Sequence, residues 1–502
     1  MGGRGSCRTN AKLGRSLALP SEPLAGSFLS AARLTTSDIA YKLWIAMPNT
    51  DELLAQTWQV HQQGNAVHAE QVYRSVLKRE PHHVNAWCYL GIALHDLRKY
   101  GESVAAYGRA LALQPNFPVA LNNMGNSLRY LGRVQEADDA FQKAIDLSPD
   151  YFNAFRNRGT LHAWTGRVDL AFKYYHQAMQ LNPADAELHR NLGVIHLYQG
   201  NFKEGWREYA YRWQCAEAIQ YSYQQPKWRG EPLEGKTVLL YCEQGLGDTI
   251  HFVRFAKELK DRGAKTIVHI QPPLLALLQS CKGIDALIPN SLKIDQPFDF
   301  HCSLLDVAQV LQIDETNIPN NVPYVRVPQH LIDYWRGVLT RELPPAKLRV
   351  GIVWQGNPDH QADMFRSVPL SALTPLSDIE GIQLVSLQRG AGTEQLKNWK
   401  GSKIIYCLPE SIDQTSGAFM DTSAILEFLD LIVTSDTSMA HLAGAIARPT
   451  CVMLGYTPDW RWLQNRPDSP WYPTCKLFRQ PKVGDWASVI GEVGKHIETI
   501  IR

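Results

Sequence analysis

Hydrophobic and polar positions follow two different rhythms along the chain, and the change comes near residue 237. From about residue 50 to 219 the pattern recurs every 34 residues. Leu90-Gly91, Met124-Gly125, Arg158-Gly159 and Leu192-Gly193 keep that step, as do Tyr107, Phe141, Tyr175 and Tyr209. Pro81, Pro115, Pro149 and Pro183 share it, with Ala110, Ala144 and Ala178. A fixed period of this kind predicts stacked helical pairs, three well matched (84–117, 118–151, 152–185), a fainter one at 50–83 and a partial one at 186–219. Small residues such as Gly91 and Ala110 let two antiparallel helices approach closely, large aromatics fill the gap to the next pair, and the prolines end each second helix. From residue 237 short apolar runs of strand length alternate with helical spacing. The run 237–242 predicts a buried strand, and Ile250, Phe252, Val253, Phe255, Ala256 and Leu259 predict a helix over 249–262. Further strands are expected at 266–270, 286–288 and 298–302, with a helix over about 273–280. A second series begins at 349–354 and continues through 383–387, 404–406, 431–434 and 450–454. The expected organisation is a leader (1–46), a helical array (47–219), a connector (220–236) and two α/β halves (237–345 and 346–502).

The 34-residue period, its small residues and its proline resemble the tetratricopeptide repeat. That resemblance implies a curved stack whose concave groove binds extended peptides or partner proteins. Asn123, Asn157 and Asn191 also recur every 34 residues, at the first-helix position that faces the groove in such repeats. A carboxamide both donates and accepts, so a ladder of them could clamp a peptide backbone without reading side chains. Protein O-linked N-acetylglucosamine transferases, which also fuse such repeats to a glycosyltransferase, carry a similar ladder. The alternative is that asparagine before Leu-Gly is simply common in the repeat.

Between the first strand and helix of the α/β region lies Glu243-Gln244-Gly245-Leu246-Gly247-Asp248. Glycines there let the backbone turn sharply and come close to a ligand. The helix start offers free N–H groups to an anion. In the second half, Leu431-Ile432-Val433-Thr434-Ser435 leads into Asp436-Thr437-Ser438-Met439-Ala440-His441, a strand, a polar turn and a helix. Asp436 or Thr437 is the expected N-cap. This stretch resembles the Asp-Thr-x-x-x-His signature of the ADP-heptose:lipopolysaccharide heptosyltransferases. The Gly-Leu-Gly-Asp loop is similar to that family's N-terminal Gly-Asp loop, and Trp354-Gln355-Gly356-Asn357 followed by Arg366-Ser367 is a third match in the same order.

The resemblance, over about 237–490, implies a GT-B fold: two doubly wound, Rossmann-like domains facing each other. The whole would then be an α-helical tetratricopeptide solenoid followed by α/β. It implies Asp248 as catalytic base, and a nucleotide-sugar diphosphate held by the 436–439 turn (Asp436, Thr437, Ser438, Met439) with a hydrogen bond from His441. Gly245, Gly247, Gln355, Asn357, Arg366 and Gln388 complete the expected donor side. The family's cation is typically lysine, so Arg366 is carried over by position. Nothing in the first half forms the basic array that a phosphorylated lipid-A core would require, which argues against lipopolysaccharide as substrate.

Each residue also has a plainer reading. Asp248 can simply cap the helix it begins, and His441 can be a buried helix histidine. His251 is the second candidate base. Asp359, His360 and Asp363 read either as metal ligands or, preferably, as a solvated turn. No Asp-x-Asp occurs, so helix dipole and Arg366 rather than a metal ion are expected to stabilise the leaving group. Gln388-Arg389, Gly390 and Gly392 are candidates for base or ribose contacts. Trp460, Trp462 and Trp471 read as domain-closing core before nucleotide stack, and Trp206, Tyr209, Trp213 and Trp228 as a cap between the last repeat and the next domain.

Composition changes little in this picture. The 45% apolar content is that of a globular protein, and the length calls for about three domains. Net charge is +2, but residues 1–46 alone carry six basic residues against Glu22 and Asp38, so the remainder is slightly acidic and nucleic acid is not an expected partner. Nine scattered cysteines without a Cys-x-x-Cys pair fit free thiols and a cytoplasmic setting. Gly2–Ser6 loosely fits a myristoylation pattern, though Met47 as the true start is the preferred reading of a disordered, dispensable leader. Two functions follow. One is an inverting, metal-independent glycosyltransferase with no cofactor, using a nucleotide-sugar as co-substrate and an acceptor (protein or glycan) recruited by the repeats. The other is a non-catalytic repeat scaffold.

Overall fold

The computed structural model describes residues 49–216, 221–360 and 362–502. The leader and Met47 lie outside the described residues. The chain divides into two compact units, one ending at His162 and taking in Asp169–Asp185, the other comprising Ala163–Val168 and Ala186–Arg502.

The first unit is built from helical pairs: α1 (Thr50–Gln62) with α2 (Ala66–Arg79), α3 (Val84–Asp96) with α4 (Tyr100–Leu113), α5 (Pro118–Tyr130) with α6 (Val134–Leu147), and α7 (Phe152–Trp164) with α8 (Val168–Leu181), apart from the adjoining ends of α7 and α8 within Ala163–Val168. The 34-residue period is a packing rule. A Cβ on Gly91 would stand 2.6 Å from the Tyr107 ring, and one on Gly125 would stand 2.7 Å from the Phe141 ring. Each recurring aromatic is therefore seated on the recurring glycine of its partner helix. Pro81, Pro115, Pro149 and Pro183 all fall just past the second helix of a pair, where no further i→i−4 bond is needed.

The second unit opens with a last pair, α9 (Ala186–Tyr198) and α10 (Phe202–Tyr209), and continues into two parallel sheets. The first sheet has the order β3-β2-β1-β4, with β1 Thr237–Tyr241, β2 Lys265–Ile270, β3 Ala286–Pro289 and β4 Phe300–Ser303. The second has the order β10-β9-β8-β5-β6-β7, with β5 Leu348–Val353, β6 Ile382–Ser386, β7 Tyr406–Cys407, β8 Leu431–Ser435, β9 Thr450–Leu454 and β10 Cys475–Arg479. All pairs are parallel, with Val238 opposite both Thr266 and Phe300 and Val350 opposite Leu431. Strands β8 and β9 are buried at every residue, as a sheet covered on both faces requires.

The single helix expected over 249–262 is two, α11 (Leu246–Phe252) and α12 (Phe255–Lys260). Arg254 breaks it: its Nε donates to the His251 carbonyl at 2.8 Å, and the backbone tightens to i→i−3 bonds at Ala256 and Lys257. Later helices are α13 (Gln329–Glu342), α14 (Met420–Phe428), α15 (Ser438–Ala445) and α16 (Trp486–Ile501). The expected aromatic cap is present: Trp206 of α10 lies 5.3 Å edge-on to Trp460 and donates Nε1 to the Ile313 carbonyl at 2.8 Å. None of the described cysteines forms a disulfide, and no described helix is long and apolar enough to cross a membrane.

Candidate functional site

Both motif loops follow the carboxyl ends of parallel strands, where open α/β sheets place their ligands. The loop after β1 carries Asp248 in the first turn of α11, and the turn after β8 leads into α15. The two meet directly. A Cβ on Gly247 would lie 3.0 Å from His441 Cδ2 and 3.2 Å from Ser438 Cα, so this glycine gives room to the start of α15. Gly245 is the N-cap of α11, and its N–H donates to Asp248 Oδ2 at 2.9 Å. Asp248 thus caps its helix, and its second oxygen accepts from Arg461 Nη2 at 2.5 Å. Burial raises its carboxyl above the ordinary range against the pull of Arg461.

Arg461 is the centre of a buried charge cluster. Its side chain is 5% exposed, and Nη1 also donates to Asp459 Oδ1 at 2.8 Å. Its guanidinium lies over the Trp460 and Phe252 rings at 4.6 and 5.0 Å. Asp436 is buried, accepts weakly from the Asp459 N–H at 3.4 Å, and has its carboxyl pushed up by burial and by the Asp459 charge. Thr437 is the N-cap of α15, its hydroxyl accepting from the Met439 N–H at 3.3 Å. Arg366 reaches the same turn, with Nη1 donating to the Asp436 carbonyl at 3.1 Å and Nε to Asp363 at 3.1 Å. Asp248, Asp436, Thr437, Ser438, Met439, His441 and Arg366 therefore belong to one neighbourhood, linked through Arg461 and Asp459.

Other expected donor residues are occupied elsewhere. Gln388 is buried; its Oε1 accepts from the Trp354 and Gln355 N–H groups at 3.1 and 3.0 Å, and its Nε2 donates to the Gln355 and Ala391 carbonyls. Gln355 Oε1 accepts from Gln395 Nε2 at 2.8 Å. These amides brace the loop after β5. Asn357 is exposed and closes a turn by accepting from the Asp359 N–H. Asp363 does not lie in a solvated turn: it is buried and holds both Arg366 and the Ser367 hydroxyl. Arg389 is tied to the Pro409 and Glu410 carbonyls.

His251 does not face a cleft as a second base would. It is fully buried against Phe252, Trp471 and Tyr472. Trp460, Trp462 and Trp471 are core, each no more than 2% exposed. In the array, Asn157 Nδ2 donates to Asn122 Oδ1 at 2.9 Å and Asn122 Nδ2 to Asn123 Oδ1 at 3.1 Å, so the carboxamides are partly spent on one another. Asn191 holds the corresponding place on α9 in the second unit.

Sequence reasoning missed Arg461, Asp459 and Tyr472. A signal existed in Asp459-Trp460-Arg461-Trp462: charged residues inside an aromatic run assigned to the core must be paired there. Glu243 was also missed as an anchor. It accepts from Arg212 Nε and Nη2, both at 2.8 Å, and Arg212 reaches Asp306 at 2.5 Å, tying this loop to the turn after α10.

Family models of the tetratricopeptide repeat match residues 84–117 and 118–151. Residues 84–151 are tetratricopeptide repeats. A curated relative, Protein FlbA of Caulobacter vibrioides (strain ATCC 19089 / CIP 103742 / CB 15), is 24% identical over 313 residues, covering 58% of this chain and 51% of its own length. The chain thus spans about half the length of the curated relative it matches. Among solved structures, PilF of Pseudomonas aeruginosa is similar at 18% identity over 43% of this chain and 86% of its own, with a TM-score of 0.32. A thermophilic tetratricopeptide protein of Thermus thermophilus is similar at 20% identity over 34% of this chain and 92% of its own, with a TM-score of 0.31.

Proposed function

We propose that the chain is an inverting, metal-independent glycosyltransferase of GT-B type that moves a sugar from a nucleotide-sugar to an acceptor recruited by the repeats. One observation carries the reading: two loops from the carboxyl ends of strands in separate parallel sheets converge on Gly247, Ser438 and His441, with Asp248 and Arg366 in the same charge cluster. In this reading Asp248 takes the proton of the acceptor hydroxyl as it attacks the anomeric carbon from the face opposite the leaving nucleotide. Its raised carboxyl suits that role better than an ordinary aspartate would. Arg366 and the free N–H groups at the start of α15 receive the diphosphate, and the acceptor is a protein or glycan held by the repeats.

A second reading, a repeat scaffold with a nucleotide-sugar-binding or inactive α/β part, is favoured by the engagement of both Asp248 oxygens and by the close seat of α15 on Gly247. Calorimetry with a panel of nucleoside diphosphate sugars, followed by transfer assays, separates the two. Asp248→Asn is expected to abolish turnover while donor affinity stays nearly constant. Arg366→Ala is expected to weaken donor binding by about 1–3 kcal/mol. Full activity in Asp248→Asn would sink the base assignment. Donor binding without any transfer by the unmutated chain would leave the scaffold reading.

A further inference from the structure

Tyr472 is fully buried, and its hydroxyl lies 2.8 Å from His251 Nδ1 and 3.1 Å from His441 Nδ1. One hydroxyl proton cannot serve both nitrogens as donor. A third neighbour, Tyr324, lies 3.5 Å away, but its own proton goes to the Ile250 carbonyl at 2.9 Å while its oxygen accepts from Arg254. The proton of Tyr472 therefore belongs to one of the two histidines, or weakly to Tyr324.

His251 decides which. Its Nε2 is buried and has no hydrogen-bond partner among the described residues, and its ring stands across those of Phe252 and Trp471, both at 4.5 Å. An N–H can lie against an aromatic face with small cost, whereas a bare nitrogen lone pair there has nothing to accept from. His251 therefore carries its proton on Nε2 and accepts from Tyr472 at Nδ1. The 2.8 Å separation suits an O–H donor, and 3.1 Å suits an N–H donor. His441 must then donate its Nδ1–H to the Tyr472 oxygen. Burial and the nearby Arg461 push the His441 imidazolium down to about 3, so the ring is neutral and carries a single proton.

We propose that Tyr472 is a positioning residue that holds His441 in its Nδ1–H tautomer, so that Nε2 is a bare acceptor and the substrate group it meets is a hydroxyl, not a phosphate oxygen. In this proposal a hydroxyl takes the place of the phosphate oxygen expected as the partner of His441. Its role toward substrate rests on the glycosyltransferase reading, but the tautomer itself does not. With Nε2 accepting, His441 orients a hydroxyl, and Asp248 keeps the role of base given to it in the glycosyltransferase reading. The hydroxyl belongs either to the sugar of the donor or to the acceptor.

The test begins on the ligand-free full chain. Long-range 1H–15N correlation spectra of 15N-histidine-labelled protein, with the His441 signal assigned by its loss in His441→Asn, should show a protonated Nδ1 and a bare Nε2. In Tyr472→Phe the same ring should move to the other tautomer or to a mixture. A proton on Nε2 in the unmutated chain, or an unchanged His441 in folded Tyr472→Phe, overturns the proposal. Should a variant fail to fold, neutron diffraction from crystals of the deuterated wild type locates the proton with no substitution. Adding UDP and then UDP-N-acetylglucosamine to the labelled protein tells the sources apart. Where calorimetry shows that both probes bind, a His441 Nε2 shift with the sugar nucleotide but not with UDP points to a sugar hydroxyl, and no shift with either points to the acceptor's. A shift produced by UDP alone would restore the phosphate contact and overturn the hydroxyl role, whatever the transfer assay shows.

Discussion

At the scale of single residues, partnership matters more than residue type. In the array, Asp138 lies 2.7 Å from Arg158 Nε and 3.2 Å from His162 Nε2, and its side chain is only 14% exposed. Burial alone would raise its carboxyl, but His162 and Arg158 outweigh burial and hold it well below the usual range. The sign follows from a depressed folded value. The contribution to stability is complete above about pH 5 and declines as pH falls below about 4, where the unfolded carboxyl begins to protonate. Asp138→Asn should cost about 2 kcal/mol in urea unfolding at pH 7, and the gap to wild type should shrink steadily toward pH 3. A pH-independent gap would mean that shape, not charge, is what Asp138 contributes. Such pairs were hidden in the sequence because they join helices at separations no periodicity marks. The same is true of Asp248: its place after the first strand was legible, whereas its partner Arg461, 213 residues away, was not.

At the scale of elements, legibility followed from whether an element's cause is local. The repeats were readable because glycine and aromatic recur in register and touch each other. Strands β1, β2, β5, β8 and β9 were readable because they are short, largely apolar stretches rich in β-branched residues and bounded by turn residues. Strand β10 escaped because its residues, Cys-Lys-Leu-Phe-Arg, mix buried and exposed positions at the edge of the sheet. The break between α11 and α12 escaped because Arg254, which causes it, takes its other partners from distant segments. The glycine rule permits a paired prediction. Gly125→Ala forces a methyl to within 2.7 Å of the Phe141 ring and should destabilise the array by about 1–3 kcal/mol. Gly108, inside α4, has nothing within 4 Å of an added Cβ, so Gly108→Ala should instead stabilise by about 0.5–1 kcal/mol. Thermal unfolding of both variants checks the pair, and equal effects would show that close helix approach is not what selects the recurring glycine.

At the scale of the whole α/β unit, the two sheets are joined through a buried cation that, among the described residues, has no carboxylate partner in its direct hydrogen bonds. Arg254 is 5% exposed and donates to the carbonyls of His251, Pro319 and Trp471 and to the Tyr324 hydroxyl. Its guanidinium lies 4.5 Å from the Tyr472 ring centre and 4.7 Å from that of Tyr324. Two of these partners, Trp471 and Tyr472, immediately precede β10 of the second sheet, while His251 follows β1 of the first. Desolvating a guanidinium is costly, and the cost is recovered only while all of these acceptors stay together. Arg254 therefore favours a state in which the two sheets move as one body, holding the Asp248 loop against α15. Arg254→Met fills much of the space but leaves several carbonyls unpaired, and should cost about 3–5 kcal/mol. Native-state hydrogen exchange provides the sharper check. In the wild type, slow amides of β1 and β8 should open with one common free energy, as a single cooperative unit. In Arg254→Met they should separate, the first sheet opening at lower free energy than the second. Separate opening in the wild type would show that the sheets are independent and that the convergence of the two loops is not maintained by this contact.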